Sequence, residues 1–503
     1  MKILSAAQIR QADAHTLAEE QIPSAALMER AAKAFVTWFD NKFPEQGRRI
    51  LVCCGPGNNG GDGLAIARLL LAKGYALNVW LVAEDDRLSP DCRLNLERLP
   101  AAVALTRVSA DTSIPASIEA DFIVDALFGT GLSRPVSGLF GAVIDKINDS
   151  PATRVAVDMP SGLFADAPNA ADAPIVQAHY TLSFELPKLA FFLPQHHAFV
   201  GNWEVVPIGL SAAFLADAET NTLVISPELV GSILRPRQKF SHKGTYGHAL
   251  LLAGSYGKMG AAVLASRACL RSGVGLLTVQ CPQVGYDILQ TGAPEAMALP
   301  DADAHHLTGL PPLEAYQAIG AGPGLGTAPA TRQLIRDLLQ VAAVPLVLDA
   351  DALNLVAEEG LLPRLPPQTI LTPHPKEFER LAGKAEHDYH RLDQLRRLCR
   401  EHQCYIILKG GHTCIGTPQG TLYFNCTGNP GMATGGTGDV LTGIVTALAA
   451  QQYSPLEACL LGVYIHGRAG DIAKTEKGEM ALIASDVIDN LGAAFVQVNP
   501  TKA

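Results

Sequence analysis

The sequence lacks the features of membrane, zinc-binding and disulfide-rich secreted proteins. It has no uninterrupted apolar run of roughly eighteen residues, and its N-terminal apolar run breaks too early for a signal peptide. The ten cysteines form no CxxC pair and no Cys/His ligand spacing, so neither a zinc site nor a disulfide framework is indicated. We therefore expect reduced, mostly buried thiols in a cytoplasmic protein that does not bind membranes.

Basic charge is also scarce. The 39 Lys and Arg residues are outnumbered by 49 Asp and Glu residues, which gives a net charge of -10 and argues against a nucleic-acid partner. Hydrophobic residues make up 48% of the chain and charged residues 17%, a composition compatible with large buried sheets. Because 503 residues exceed what one hydrophobic core usually serves, we expect two or three domains.

The N-terminal half begins with a βαβ pattern. Residues 5–40 are predicted to be helical, with Ser5 as N-cap. The segment 48–75, RRILVCCGPGNNGGDGLAIARLLLAKGY, then predicts a strand, a Gly-rich turn and a helix, with both cysteines in the core. Its match to GxGxxG is weak evidence alone, but the segment 76–86 adds a second strand ending in acidic residues.

Two later strands of this half also end in polar residues. Asp125 ends one of them, and Asp158 and Ser161 follow the other. Because the carboxyl ends of parallel strands meet at one crevice, we expect these three residues to lie near Asn59. A single acidic residue at a strand end is more often a helix cap. Here three successive strands, counting the one in segment 76–86, end in acidic residues, which favours a functional site.

The strand pattern stops near residue 210, and SAAFLADAETN at 211–221 is the best candidate linker. Beyond it the alternation of strands and helices restarts with a different set of loops. We therefore predict an N-terminal domain at 1–215, with a Rossmann-like doubly wound sheet, and a second α/β domain at 222–500.

The second half is organised around GNPGMATGGTGD at 428–439, which is followed at once by an apolar run. Its glycines predict a loop that leads into a helix, with free amides of Gly435, Gly436, Thr437 and Gly438 at the positive helix end. Such an anion hole suits a transferring phosphoryl group. Asp439 in the first helical turn either caps the helix or accepts the proton of the attacking hydroxyl.

The strand-end loops of the second half occur in an order that resembles the ribokinase-like superfamily. Together GSYGKMGA, GPGLG, LDADALN, TPHPKEF, KGGHT and NPGMATGGTGD resemble the ADP-dependent NAD(P)H-hydrate dehydratases. The N-terminal PGNNGGDG, VDALFGTGL and VDMPSGL resemble the NAD(P)H-hydrate epimerases. The fused order resembles the bacterial bifunctional NAD(P)H-hydrate repair family over nearly the whole chain. One departure from the superfamily is His374 of HPKE, where Asn is usual.

The resemblance implies that the first domain interconverts the R and S hydrates of NADH and NADPH at C6, with Asp158 as a catalytic residue. The residues implied to contact the hydrate are Asn58, Asn59, Gly60, Gly61, Asp62, Gly129, Thr130, Gly131, Leu132, Ser133, Arg134, Pro135 and Asp158. A potassium ion is implied at Asn59, Asp125 and Ser161, which is consistent with hard oxygen ligands. No Lys role is assigned, because this loop offers Arg134.

For the second domain the resemblance implies dehydration of the S hydrate to NAD(P)H, with release of AMP and phosphate. Asp439 is the implied base, ADP the phosphoryl donor, and Mg²⁺ shares the charge with the anion hole. The hydrate pocket is implied at Ala262, Gly324, His374 and Asp439, and the nucleotide site at Lys409, Gly410, Gly411, His412, Thr413 and Gly438. We further expect a homo-oligomer.

Purely structural roles remain as alternatives for several of these residues. His374 lies between two prolines and is either a site residue or an ordinary loop histidine. Asp349 and Asp351 either line the site or only cap the helix after their strand. Lys258 imitates a phosphate-binding lysine, but GSYGKMG lacks P-loop spacing, so a pocket-lining position is favoured.

Three other functions compete with repair. A ribokinase-class small-molecule kinase with a regulatory dinucleotide-binding N-domain would release a stable phosphorylated product. A nicotinamide-dependent oxidoreductase is disfavoured, because Asn58, Asn59 and Asp62 place polar and anionic groups where a pyrophosphate needs bare backbone. The first domain is alternatively a binding module without activity.

Overall fold

The structure is a computed structural model that describes residues 1–45, 47–83, 87–109 and 111–498. The chain divides into two compact units, one comprising Lys2–Thr220 and the other Met1 with Asn221–Ala503. The segment 211–221, predicted as a linker, carries a short helix that begins after the N-cap Ser211. Among the described residues, none of the helices has the length and apolar character needed to cross a membrane.

The N-terminal unit is built on one parallel sheet of seven strands in the order β3-β2-β1-β4-β5-β6-β7. The strands are β1 Arg49–Cys54, β2 Ala76–Val82, β3 Ala104–Val108, β4 Phe122–Ala126, β5 Thr153–Val157, β6 Tyr180–Phe184 and β7 Asn202–Val206. In β1 every residue after Arg49 is buried, as expected for a strand covered on both faces. The predicted acidic end of β2, at residues 84–86, lies outside the described residues.

Helices cover both faces of this sheet. They are α1 Ala6–Glu20, α2 Ser24–Lys42, α3 Asn58–Ala72, α4 Pro90–Glu97, α5 Gly138–Asn148, α6 His197–Val200 and α7 Ala212–Asp217, with two 3₁₀ turns at Leu189–Phe192 and Pro194–His196. Ser5 caps α1 as predicted, in a capping box with Gln8. The segment 5–40, predicted to be helical, forms two helices. Gln21 adopts a left-handed φ of 54° and Pro23 follows it, so the chain stops and starts again.

The C-terminal unit contains a ten-stranded sheet in the order β11-β10-β9-β12-β13-β14-β15-β16-β17-β8. The strands are β8 Thr222–Val224, β9 His248–Leu252, β10 Leu276–Cys281, β11 Met297–Pro300, β12 Ala318–Ala321, β13 Leu346–Leu348, β14 Ile370–Leu371, β15 Tyr405–Leu408, β16 Cys414–Gly416 and β17 Leu422–Phe424. All neighbouring strands are parallel except β15 with β16 and β16 with β17, which form antiparallel hairpins.

Helix α15, Thr437–Ala450, packs against the helices Met259–Arg271, Pro455–Lys477 and Ala484–Val498. Eleven of its fourteen residues, Val440 to Ala450, are buried. The helices are α8 Pro227–Ile233, α9 Met259–Arg271, α10 Tyr286–Gly292, α11 Pro329–Val341, α12 Ala350–Glu358, α13 Pro375–Ala382, α14 Asp388–Glu401, α15 Thr437–Ala450, α16 Pro455–Lys477 and α17 Ala484–Val498, with 3₁₀ turns at Lys243–Tyr246, Gln283–Gly285, Leu362–Arg364 and Pro430–Met432. A Cβ on Gly443 would lie 2.2 Å from the Ala265 carbonyl oxygen of α9. Glycine therefore permits the close contact between these two helices.

Each sheet has one point where the strand order reverses. In the N-terminal unit this point lies between β1 and β4, and in the C-terminal unit between β9 and β12. Open α/β sheets bind ligands in the crevice outside the carboxyl ends of the strands at such a point. The fold therefore places the loops predicted to be functional at the expected edge of each sheet.

Candidate active sites of the two units

Asp125 and Ser161 meet at the end of β4 in the N-terminal unit. The Ser161 hydroxyl donates to Asp125 Oδ1 at 2.5 Å, and the Ser161 amide donates to Oδ2 at 2.7 Å. Both side chains are fully buried. Burial raises the pKa of Asp125 to about 6, although the hydrogen bonds from Ser161 and Leu127 oppose the shift. The two strand ends therefore converge as predicted.

Asn59 lies at the start of α3, beside Gly129 of the loop after β4. A Cβ on Gly129 would lie 3.3 Å from the Asn59 side chain, and Asn59 Nδ2 is buried with no hydrogen-bond partner among the described residues. Gly60 and Gly61 permit close packing at the beginning of this helix. A Cβ on Gly60 would lie 1.8 Å from the Gly55 carbonyl oxygen, and one on Gly61 would lie 2.8 Å from Met28 Sδ.

The remaining residues predicted to contact the hydrate lie on accessible backbone. Asn58 is exposed at the beginning of α3, and the loop from Gly129 to Pro135 is half-buried at its start and exposed at Gly131 and from Ser133 to Pro135. This loop leaves the end of β4, on the same edge of the sheet as Asp125. It therefore borders the crevice and can reach a ligand there.

Asp158 is held by a lysine that the sequence did not single out. Its Oδ1 accepts hydrogen bonds from Lys188 Nζ and from the Phe184 amide, the latter at 3.1 Å. Lys188 is 1% exposed and Asp158 14% exposed. Asp158 also has a left-handed φ of 66°, which is strained for a residue with a side chain. A lysine inside the apolar run YTLSFELPKLAFFLP was the available signal for this pair.

Other carboxyl groups surround Asp158. Burial raises the pKa of Asp13 to about 6, with the charge of Asp158 adding to the shift and that of Lys188 opposing it. Burial also raises the pKa of Asp62 well above its usual range, and the charges of Asp158, Asp13 and Asp91 add to that shift. Asp13, on α1, was not predicted as a site residue, because it resembles any polar residue of an amphipathic helix.

The residues predicted to form an anion hole lie at the beginning of α15. The Val440 amide donates back to the Gly436 carbonyl oxygen at 3.1 Å, whereas no acceptor within the described residues faces the amides of Gly435 to Gly438. Gly435 is exposed and the next three residues are half-buried, so the helix end is open. Gly436 has a φ of 93°, and a Cβ there would lie 2.5 Å from Leu264 Cδ1. Glycine is therefore required at this position.

Asp439 lies in the first turn of α15, half-buried beside this opening. Burial raises the pKa of Asp439 to about 7. The negative charges of Asp349 and Asp351 add to this shift, whereas the positive charge of Lys409 opposes it. A carboxyl group with a pKa near neutrality exchanges protons readily at physiological pH.

Asp349 connects three parts of this site. Its Oδ1 lies 2.9 Å from Lys409 Nζ, and its Oδ2 accepts a hydrogen bond of 2.6 Å from the Thr442 hydroxyl of α15. A Cβ on Gly438 would lie 3.3 Å from Lys409 Nζ, so the ammonium group lies at the helix opening. The capping interpretation of Asp349 is wrong, because its side chain makes no cap hydrogen bond to α12.

Asp351 joins the two Gly-rich loops. Its Oδ2 accepts from the Gly326 amide at 2.8 Å and lies 3.2 Å from Lys258 Nζ. Ser255 then donates to the Gly324 carbonyl oxygen at 2.7 Å, so the GSYGKMG and GPGLG loops are tied together. Ala262 is fully buried on α9, and any contribution to a pocket is limited to the shape of its floor.

His374 is the N-cap of α13. Its Nδ1 accepts from the amides of Lys376 at 3.1 Å and Glu377 at 3.3 Å, and Glu377 Oε2 accepts from the His374 amide at 2.8 Å. This capping box explains why histidine can replace the asparagine that is usual at this position, because both side chains supply an acceptor. The capping role leaves the imidazole half-exposed at the strand-end edge of β14.

The KGGHT segment forms the turn between β15 and β16. The Thr413 hydroxyl lies 3.4 Å from the Gly410 amide and 3.3 Å from its carbonyl oxygen, so it braces the turn. Gly410 and Gly411 are exposed and His412 is half-buried. The turn presents backbone next to Lys409, as a phosphate-binding loop requires.

His466 of α16 was missed by the sequence analysis. Burial lowers its pKa to about 4; a hydrogen bond with the backbone of Thr437 opposes the shift, and the charge of Lys409 adds to it. Its Nε2 is buried without a hydrogen-bond partner in the described part of the chain. No local pattern marks this residue, because it approaches the anion hole from a helix that follows it in sequence.

Comparisons with known proteins follow the same division of the chain. A family model described as NAD(P)H-hydrate dehydratase matches residues 249–492, and one described as YjeF-related protein N-terminus matches residues 24–190. The bifunctional NAD(P)H-hydrate repair enzyme of Moorella thermoacetica is 40% identical over 511 residues, with 98% of this chain and 96% of the relative covered. The chain belongs to this family.

Other members of the NAD(P)H-hydrate repair family are similarly related. The bifunctional enzyme of Escherichia coli K12 is 34% identical, with 92% of this chain and 88% of the relative covered. The crystal structure of the ADP/ATP-dependent NAD(P)H-hydrate dehydratase of Bacillus subtilis, co-crystallised with ATP and Mg²⁺, is 34% identical with a TM-score of 0.50. It covers 56% of this chain and 100% of that one. The expected ribokinase-like fold of the second half is thereby confirmed.

Proposed function

We propose that this chain repairs hydrated NADH and NADPH with two activities. The unit at 1–215 interconverts the R and S hydrates at C6, and the unit at 222–500 dehydrates the S hydrate with ADP. Membership of the repair family supports both activities. The observation that carries the proposal is the open end of α15, where unpaired amides, Lys409 and a carboxyl group of near-neutral pKa lie together.

The dehydratase has to remove a hydroxyl group that leaves poorly as hydroxide. Asp439 accepts the proton of the C6 hydroxyl group while the oxygen of that hydroxyl attacks the β-phosphorus of ADP. The bond between the β-phosphorus and the bridging oxygen of the α-phosphate breaks, and AMP is released. The lone pair of the ring nitrogen then expels inorganic phosphate, and loss of a proton from C5 restores the reduced ring. The amides of Gly435 to Gly438 hold the migrating negative charge.

The charges at the site suit this step. Lys409 lies at the helix opening and is fixed by Asp349, so its ammonium group can contact the phosphates of the nucleotide without first being ordered. The turn from Gly410 to Thr413 continues this phosphate-facing surface. Gly324, which follows β12, and His374, which follows β14, are proposed to border the hydrate, and Ala262 to shape the floor beneath it.

Mg²⁺ is proposed to accompany the nucleotide. Among the described residues no cluster of three or more His, Cys, Asp or Glu side chains has the arrangement of a metal site. Asp349 and Asp351 are already bonded to Lys409 and Lys258. This donor set fits an ion held mainly by phosphates and water, as is common for Mg²⁺. The ion would neutralise phosphate charge during transfer.

For the epimerase unit we propose Asp158 as the catalytic group, with the hydrate contacting Asn58 to Asp62 and Gly129 to Pro135. Potassium is proposed at Asn59, Asp125 and Ser161. The donors fit such an ion, because the buried Asp125 carboxylate, the Ser161 hydroxyl and the Phe128 carbonyl oxygen lie together. These hard oxygen donors suit an alkali cation better than a transition metal.

A product assay tests the proposed function. The full chain is incubated with a mixture of both hydrate epimers, ADP and Mg²⁺ in potassium buffer, and absorbance, AMP and phosphate are followed. Repair predicts that the absorbance of reduced nicotinamide returns for both epimers, with one AMP and one phosphate released for each molecule restored. Restoration of one epimer alone would reject the epimerase assignment.

The same assay distinguishes the repair function from that of a small-molecule kinase, which the ribokinase-like fold would also suit. A kinase would consume nucleotide without releasing phosphate and would leave a stable phosphorylated product. Parallel reactions with ADP and ATP identify the donor, because AMP and ADP, respectively, are the expected nucleotide products. Loss of nucleotide without recovery of absorbance would contradict the repair function.

We also propose a cytoplasmic homo-oligomer. All ten cysteines are free and nine are buried, which supports a reducing compartment. The edge strand β11 exposes Met297 and Leu299, which supports a protein interface at that edge. Measurement of the mass of the full chain in solution tests this expectation.

A further inference from the structure

The Lys188 ammonium group is buried and has every donor occupied. It is 1% exposed and donates to Asp158 Oδ1, to the Ser183 hydroxyl at 2.7 Å and to the Phe184 carbonyl oxygen at 3.4 Å. A lysine has three N–H donors, so none is left for a substrate. Lys188 therefore acts on the site through its partners.

Asp158 is oriented by these same contacts. Its Oδ1 accepts from both Lys188 and the Phe184 amide, whereas Oδ2 has no hydrogen-bond partner among the described residues. The backbone at Asp158 has a φ of 66°, a conformation that persists only where the surroundings enforce it. One carboxylate oxygen is thus fixed and the other is free to accept a proton.

We propose that Lys188 is a positioning residue of the epimerase, which supplies the counter-charge of the Asp158 carboxylate and directs its free oxygen at the bound hydrate. This inference rests on the epimerase function proposed above. It adds a residue from the segment after β6, which the Gly-rich motifs do not include.

The surrounding charges make this role necessary. Asp13 of α1 and Asp62 of α3 lie close enough to Asp158 for its charge to add to the burial that raises their pKa values, and the charge of Asp91 of α4 also raises the pKa of Asp62. Neighbouring carboxylates favour protonation of one another, whereas a nearby ammonium group favours the ionised form. Removal of Lys188 would therefore leave the Asp158 carboxylate among like charges without its counter-ion.

The chemistry needs an ionised base at the start. Loss of the C6 hydroxyl proton to Asp158 lets the electron pair of the O–H bond form a carbonyl group while the bond from C6 to the ring nitrogen breaks. The nitrogen takes a proton from water. Rotation and the reverse steps close the ring on the other face, return the proton and invert C6. A protonated Asp158 cannot begin this sequence.

The test compares Lys188→Met, Lys188→Gln and Lys188→Arg in the full chain. The rate of epimer interconversion is measured from about pH 5 to 9, and dehydration of the S hydrate by the other unit reports an intact chain. For Met and Gln we expect the acid limb of kcat to move up by roughly 1 to 3 pH units, with KM nearly unchanged. Arg should leave the acid limb in place, because it keeps the charge.

The outcomes separate the two proposals. An acid limb that stays at the wild-type pH in both Met and Gln would overturn the role of Lys188, even if the melting temperature falls. The Gln variant carries an uncharged N–H donor into the same buried position, so it keeps the test valid should the Met variant fail to fold. A wild-type chain that cannot interconvert the epimers would instead refute the epimerase function, and this inference with it.

Discussion

Lys409 Nζ lies 2.9 Å from Asp349 Oδ1, and this ion pair places a positive charge at the open end of α15. Asp349 is 1% exposed and also accepts a hydrogen bond from Thr442 of the same helix. The pair therefore connects the strand end of β13, the turn after β15 and the anion hole. Its negative member lies close enough to Asp439 to affect when that group ionises.

Asp349→Asn should lower the pH at which the dehydratase becomes active. The Asp349 charge helps to raise the pKa of Asp439 to about 7, so its removal stabilises ionised Asp439 and moves the acid limb down by about 1 unit. Rates of S-hydrate dehydration at saturating ADP from about pH 5 to 9 measure the shift. Thr442→Val is the matched control, because it removes a hydrogen bond to Asp349 but keeps the charge. If the acid limb of the pH–rate profile lies at the same pH in wild type and in Asp349→Asn, the charge of Asp349 does not affect the ionisation of Asp439.

Gly436→Ala should damage the anion hole, whereas Gly435→Ala should not distort the fold. Position 436 has a φ of 93° and would place a Cβ 2.5 Å from Leu264, but a Cβ at position 435 meets no atom within 4 Å. We expect a loss of about 1 to 3 kcal/mol of stability at position 436 and less than about 0.5 at position 435. Urea denaturation monitors both variants. Equal stability losses would contradict the described backbone of the loop.

Asp439→Asn should make the protein more stable at high pH. A carboxyl group whose pKa is raised from 3.8 to about 7 binds more protons in the folded state, so folded stability declines as pH rises through that interval. The amide avoids this cost. Above pH 7 we expect a gain of roughly 1 to 3 kcal/mol over wild type, shrinking toward pH 4. Melting temperatures across this range test the sign, and a constant difference would refute the ionisation argument.

Ser161→Ala should weaken activation of the epimerase by potassium. The change removes one proposed oxygen ligand and the 2.5 Å hydrogen bond to Asp125. We expect the KCl concentration for half-maximal epimer interconversion to rise at least about tenfold, at ionic strength held constant with choline chloride. Ser137→Ala is the control, because Ser137 is exposed before α5 and its side chain makes no cap hydrogen bond. A wild-type rate that does not depend on potassium would argue against the ion.

The sequence predicted the regular parts of the fold for clear physical reasons. The apolar strands and Gly-rich turns indicated two α/β units, and the meeting of Asp125 with Ser161 followed from the geometry of parallel strand ends. Asp439 was found because glycines that no helix needs precede it. The helical pattern over 5–40 did not locate the break at Gln21 to Pro23, which divides the segment into two helices.

Residues that act across long sequence separations were not predictable. Lys188 lies 30 residues from Asp158, and its position in an apolar run marks it as unusual without indicating its partner. Asp349 and Lys409 are 60 residues apart in the sequence. Only their contact in the folded chain shows that Asp349 pairs with a lysine and does not cap a helix. His466 reaches Thr437 from another helix, so its role depends on tertiary packing alone.

The most direct test of the central claim compares wild type with Asp439→Asn in dehydration of the S hydrate by ADP, with ADP binding measured on the same samples by calorimetry. The account predicts that ADP binds both proteins within about threefold, while turnover falls by roughly 10² to 10⁴, because the amide cannot accept the hydroxyl proton. Wild-type turnover in the variant, with AMP and phosphate released normally, would contradict the account.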